Sequence, residues 1–255
     1  MRIKKKILYI IPVETDSQRI EGVQDRLNKI KDVDTEVDVI GLESGPKDLE
    51  YQLYEHIAID RIVDILLGLE QSYDSIVIAC FYDPGSKEIR ELVDMPVIFP
   101  GEACMHVAAM LGHKFSIIVG RRNWFPPIFD NVKLYGLESR LASIRAINMP
   151  TADLHTNPEE AIKRLSQECK KAIEEDFAEV VILGCAVLVG IAEDIQNQLG
   201  VPILDPVMVP FKVAELLAAL KLTLGLSHSK KYLGKLELGY AFPHQKELKR
   251  LKGWK

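Results

Sequence analysis

The stretch Ile76-Val77-Ile78-Ala79-Cys80 returns 105 residues later as Val181-Ile182-Leu183-Gly184-Cys185. Each is a short apolar run closed by a small residue and a cysteine. Such runs read as strands buried on both faces of a parallel sheet. The surroundings repeat too. A Pro-led strand follows each cysteine, Met95-Pro96-Val97-Ile98 and Val201-Pro202-Ile203-Leu204, with the proline 16 and 17 residues beyond the cysteine. Upstream, the strand of Lys5 to Ile10 resembles that of Lys114 to Ile118. These strands end at Pro12 and Gly120, which lie 68 and 65 residues before Cys80 and Cys185. Two units of roughly 105 residues therefore stand in tandem.

The rest of the chain extends this pattern. Strands are predicted at Lys5–Val13, Asp34–Gly41, Ser75–Cys80, Pro96–Phe99, Lys114–Gly120, Ser143–Asn148, Glu179–Cys185 and Pro202–Leu204, with helices between them. One helix start is well marked, with Asn157 at the N-cap, Pro158 in the first turn, and Glu159 and Glu160 where the helix dipole favours acids. Strand–helix alternation with apolar strands gives an α/β fold with parallel sheets. The expected domains are a first lobe over 1–112, whose last helix can cross over, a second lobe over 113–225, and a C-terminal segment, 226–255, packing on the first lobe.

Ligands of open α/β sheets bind outside the carboxyl ends of the strands. Cys80 and Cys185 both occupy that place, each ahead of a helix-forming stretch. Unpaired amides and the positive end of a helix dipole favour thiolate there. Two such halves facing one another would put a thiol on each side of a ligand. A thiolate–thiol pair can remove a proton from one face of a carbon next to a carbonyl and return one to the other. The remaining cysteines read as core: Cys169 in line with Ile162, Leu165, Ala172 and Ile173, and Cys104 with Val107, Ala108 and Leu111. No CxxC pair is present, so neither a zinc knuckle nor a thioredoxin-type motif is expected.

The chain has 255 residues, 47% of them hydrophobic and 27% charged, as in an ordinary globular protein. Its 37 acidic residues outnumber 32 basic ones. Without a basic face, nucleic acid is not an expected partner. The apolar run Ile7 to Val13 is too short for a membrane span and lacks a signal-peptide cleavage site. A cytoplasmic protein acting on a small molecule, with no membrane partner, is expected.

The segment Ala79-Cys80-Phe81-Tyr82-Asp83-Pro84-Gly85 resembles the A-C-F-x-D-P-G segment of hydantoin racemases, and Leu183-Gly184-Cys185-Ala186 their second cysteine segment. Gly112 to Ser116, Tyr135-Gly136-Leu137, Asp205-Pro206-Val207 and Gly225 to Lys230 are similar too. The resemblance covers nearly the whole chain. It implies two pseudo-symmetric flavodoxin-like lobes with the active site between them, no metal, PLP or nucleotide cofactor, and commonly a homo-oligomer. It also implies that Cys80 and Cys185 are the catalytic proton donor and acceptor. Matching positions put Pro12, Thr15, Phe81, Tyr82, Gly120, Arg121, Ala186 and Val187 at the substrate. The family's first strand reads I-N-P-N-[ST], whereas here it is Ile10-Ile11-Pro12-Val13-Glu14-Thr15. Losing both asparagines suits a 5-substituted hydantoin with an apolar side chain. The wider superfamily offers an Asp/Glu-type racemase, a maleate-type isomerase or an arylmalonate-type decarboxylase as alternatives. A non-catalytic binding module is a third reading.

Single residues carry further expectations. Asp83, in a Pro-Gly turn, is expected to cap the helix that follows it. Arg121 and Arg122 could hold a carboxylate but read as surface arginines. His228 and the run Lys246–Lys255 read as solvated.

Overall fold

The structure, a computed structural model, describes residues 3–185 and 190–232. The expected Ala186 and Val187 and the basic run Lys246–Lys255 lie outside the described residues. Eight strands appear in the predicted order: β1 Lys5–Glu14, β2 Thr35–Leu42, β3 Ser75–Ile78, β4 Val97–Ile98, β5 Phe115–Val119, β6 Leu141–Ala146, β7 Val180–Leu183 and β8 Ile203–Leu204. The helices among the described residues are α1 Ser17–Ile30, α2 Gln52–Leu67, α3 Ser86–Leu92, α4 Pro100–Leu111, α5 Phe125–Leu134, α6 Thr151–Thr156, α7 Pro158–Glu174, α8 Ala192–Leu199 and α9 Met208–Leu224. None is long and apolar enough to cross a membrane.

The strands form two four-stranded parallel sheets, ordered β2-β1-β3-β4 and β6-β5-β7-β8. The same order in both sheets is what the tandem repeat requires. The chain divides into two compact units. One holds the described residues within Met1–Ile78, Pro84–Ile98 and Val213–Lys255, and the other those within Ala79–Asp83 and Phe99–Lys212. The turn that carries Cys80 thus belongs with the second sheet, and α9 begins in the second unit and continues in the first.

Side-chain alternation explains the second sheet's two-sided burial. Phe115, Ile117 and Val119 of β5 and Val180 and Ile182 of β7 pack with Cys104 and Met105 of α4 and Ile128 and Val132 of α5. The intervening Ile118, Val181 and Leu183 pack with Leu165, Cys169 and Ala172 of α7 and Ile195 of α8. Both strands are apolar at all positions but one because both of their faces are covered; the exception, Ser116 of β5, is buried and shares a hydrogen bond with Ser143 of β6 at 2.8 Å. In α7 the inward residues are Ala161, Leu165, Cys169 and Ala172. Leu165, Cys169 and Ala172 lie on the predicted stripe, with Ile173 packed against the same cluster, whereas Ile162, expected there too, is 38% exposed and Ala161 takes its place. Asn157 stands at the N-cap of α7 as expected and its carbonyl accepts from the Ala161 amide at 3.1 Å, but its side chain makes no capping bond and its amide donates to Thr156 Oγ1. The short α6 ends at Asn157 and fixes its backbone, φ −130° and ψ 60°, for a turn between two helices.

The edge strand β6 is covered only in part and carries a charge. Arg145 reaches the carboxylate of Asp176 with Nε and Nη2, the latter at 2.8 Å, and Ser143 Oγ donates to the same group. The guanidinium holds the Asp176 carboxyl below its usual value of 3.8. A depressed folded value stabilises the fold above the unfolded one and is lost as pH falls through it. Asp176→Asn should therefore lower the unfolding free energy by about 1.5–3 kcal/mol at neutral pH. Variant and wild type should converge once the medium is more acidic than the depressed value, which urea titrations at the two pH values would measure.

Candidate active site

β3 ends at Ile78 and β7 at Leu183. Each is the third strand in its sheet's order, and Cys80 and Cys185 each stand two residues beyond the strand end. Cys185 continues the odd-numbered face of β7, after Val181 and Leu183, and is half-buried against their cluster. Cys80 is buried, with 8% exposure.

The Cys80–Asp83 turn is held at every residue. Asp83 N donates to the Cys80 carbonyl at 3.1 Å, which closes the turn. Phe81 sits in the core between β5 and α4, at 2% exposure. The Tyr82 ring stacks on Trp124, with centroids 3.4 Å apart and planes 6° apart. Its carbonyl accepts from Asn131 Nδ2 at 3.0 Å. The Asp83 carboxylate accepts from the amides of Gly101 and Glu102, each at 2.7 Å, and from the Tyr135 hydroxyl at 2.6 Å. Asp83 therefore does cap a helix, but not the one that follows it. It caps α4, eighteen residues on, in the Gly101 amide it reaches. The chain cannot turn back locally to α3, since Asp83 itself is left-handed, with φ 56°. Burial pushes its carboxyl up to about 7, against the pull of its three donors.

The second repeat makes the corresponding closure differently. Asp205 follows β8 directly, as Phe99 follows β4. Its Oδ1 accepts from the amides of Val207 at 2.8 Å and Met208 at 3.0 Å, next to and within the start of α9. Its Oδ2 accepts from the Gly190 amide at 2.9 Å. Cys104 lies close to both carboxylates, with Sγ 4.0 Å from the Asp205 carbonyl. Burial first, then the charges of Asp205 and Asp83, pushes its thiol well up. Burial likewise pushes the Cys169 thiol up to about 12. Both thiols are wholly buried and protonated at neutral pH, in keeping with the core role read from their spacing. Tyr135, Gly101 and Asp205 were missed as site residues because their roles rest on contacts far apart in sequence. The signal that could have found Asp205 is its position directly after an apolar strand and ahead of a helix.

The other expected residues are placed as follows. Pro12 lies in β1 where the β1–β2 register shifts between Ile11 and Glu14, a bulge that tolerates a residue without an N–H. Thr15 Oγ1 donates to the Val13 carbonyl at 2.7 Å. Gly120 ends β5 so close to the Met149 carbonyl that a Cβ there would lie 2.9 Å from it. Arg121 is half-buried, whereas the exposed Arg122 faces an open hollow of about 370 Å³ with Arg145, Asn148, Glu168 and Lys171. His228, expected in solvent, instead accepts from the Val97 amide at 2.8 Å. Among the described residues, no group of three or more His, Cys, Asp or Glu side chains could hold a metal ion.

Comparison with known proteins identifies relatives of this architecture. The family model described as Asp/Glu/Hydantoin racemase matches residues 14–214. A hydantoin racemase of Pseudomonas sp. (strain NS671) is 33% identical over 237 residues, covering 90% of this chain and 95% of that protein. A hydantoin racemase of Paenarthrobacter aurescens is 34% identical over 217 residues, covering 84% and 92%. The structure of allantoin racemase from Klebsiella pneumoniae superposes with a TM-score of 0.83 at 29% identity, over 90% of this chain and 92% of that one.

The close approach of α4 to the Cys80 turn sets one prediction. A Cβ at Gly101 would lie 2.5 Å from the Phe81 carbonyl oxygen and 2.6 Å from Asp83 Oδ2. Gly101→Ala should cost about 1–3 kcal/mol by forcing the two apart, against a near-neutral Gly22→Ala control in the open first helix. Denaturant midpoints of the two variants measure the difference.

Proposed function

Because the chain belongs to the Asp/Glu/hydantoin racemase family, and is a racemase, we propose that it inverts a 5-substituted hydantoin through two thiols, Cys80 and Cys185. One cysteine, as thiolate, takes the proton from C5. The electron pair of that C–H bond moves into the adjacent carbonyl, giving an enolate. The other cysteine, as thiol, delivers its proton to the opposite face of C5 as the enolate collapses. One thiolate is consumed and one formed, so the enzyme ends ready for the reverse reaction.

The observation that carries this reading is the equivalent placement of the two thiols, each two residues past the third strand of its sheet. The other two cysteines do not share it: both are wholly buried, and burial holds both protonated. Tyr82, Gly120 and Arg121 are proposed to lie along the ligand. Phe81 supports the turn from the core. The likeness to an allantoin racemase brings in allantoin, a hydantoin with a polar 5-substituent, as a second candidate substrate. The apolar first strand favours the apolar one.

The test follows optical rotation of D- and L-5-benzylhydantoin and of allantoin, above the uncatalysed rate, in D2O. Cys80→Ala and Cys185→Ala should each slow racemisation by about 10²- to 10⁴-fold. Each should still wash deuterium into one enantiomer. Normal racemisation by Cys185→Ala would rule the two-thiol mechanism out, and activity on neither hydantoin would rule out the substrate.

A further inference from the structure

The two repeats solve the same problem, closing the start of the helix after the fourth strand, with a carboxylate in different places. In the second, the carboxylate stands at the helix itself: Asp205 bonds Val207 and Met208. In the first, the equivalent residue is Phe99, which makes no side-chain cap. The closure comes instead from the cysteine turn, through Asp83.

That arrangement is costly for a helix cap alone. A local Ser or Asp would cap the helix from one oxygen at the surface. Asp83 is 4% exposed, so its carboxyl has been taken out of water. Its backbone is left-handed, a conformation that carries a cost outside glycine. A third donor, Tyr135 on the residue after α5, is needed to satisfy it. What these costs achieve is a join between the Cys80 turn and the start of α4 that a local cap would not make. The join is tight enough that only glycine fits at Gly101.

We propose that Asp83, held by Tyr135, is a positioning residue for Cys80, fastening the Cys80–Asp83 turn to the first amides of α4 so that the thiol is held in one place. This rests on the reading of Cys80 as a proton-transfer thiol. A sulfur held fast meets its carbon at a fixed distance, and misplacement by about 1 Å can cost about 100-fold in rate. Tyr135→Phe keeps both amide bonds and removes only the brace. Asp83→Asn keeps the shape but sets an NH2 against one of the amides.

Three of the four cysteines make the test internal. The whole protein is treated with iodoacetamide, and the alkylation rate of each cysteine is read from its peptide. Cys169 reports opening of the core, Cys185 the second thiol, and Cys80 the turn. In Asp83→Asn and Tyr135→Phe, Cys80 should alkylate at least about fivefold faster, since a released turn uncovers a thiol now 8% exposed. Cys185 and Cys169 should stay within twofold of wild type. On 5-benzylhydantoin, kcat should fall about tenfold with KM changed less than about threefold. A thiol more open to a reagent yet less able to turn over substrate is the mark of lost positioning. All three cysteines speeding up together would mean general loosening, and an unchanged Cys80 rate or kcat would mean no positioning; either overturns the proposal. Cys80→Ala separates the two claims. If that variant racemises normally, Cys80 is not a proton-transfer thiol and the proposal falls with it. If it is inactive while Asp83→Asn keeps full kcat, the thiol reading stands and the positioning role fails.

Discussion

Covering both faces of a parallel strand leaves its residues only one exit, the strand's end. In the second sheet, β5 and β7 send alternate side chains into two different helix layers, and every position but one is filled by an apolar group. The exception, Ser116, is buried beside the edge strand and shares a hydrogen bond with Ser143 there, the pairing a buried polar group requires. Chemistry is confined to the first residues past the strand, where the backbone leaves the ladder and helix amides come into reach. Both candidate thiols stand there. So do the carboxylates of Asp83 and Asp205, whose oxygens are satisfied by amides freed at the start of a helix.

Much of this was legible in the residues. All eight strands follow from apolar runs bounded by turn residues, because strand burial is written locally, in period and composition. The matched cysteines were visible for the same reason. The strand ends were read two residues long at both Cys80 and Cys185, since a small residue and a cysteine extend an apolar run without extending its hydrogen bonds. What could not be read was the destination of polar side chains. Asp83 looked like a cap for its own neighbour and serves α4. Asn157 looked like a cap and bonds its neighbouring threonine. His228 looked solvated and bonds Val97. Each partner depends on which elements the tertiary fold brings close, and no local pattern encodes that. The helical stripe of α7 holds except at its first residue, since 100° per residue leaves Ala161 and Ile162 on adjoining faces and only packing decides between them.

The cysteines separate by place more than by type. Cys104 and Cys169 lie on the buried faces of α4 and α7, where burial and nearby carboxylates raise the cost of a thiolate. Cys104 has a particular position, close to the two carboxylates that close the two repeats. A neutral, compact group fits there, where a second charge would add repulsion without a compensating donor. The departures from the family's first strand fall on a bulge, where Pro12 spends no hydrogen bond and the backbone has already left β2's register. That is the part of a strand most able to change its residues without disturbing the sheet.

The segment after α9 has a use of its own. β4 is an edge strand of only two residues. Its outward amide at Val97 is met by His228 Nε2, while Ser227 Oγ and Lys230 Nζ bond the carbonyls of Asp94, Arg90 and Glu91 alongside. An open strand edge invites another chain to extend the sheet; here a sidestep of the same chain occupies that berth. With its hydrogen already given to the Nε2 lone pair, the Val97 amide has nothing left to offer an incoming strand.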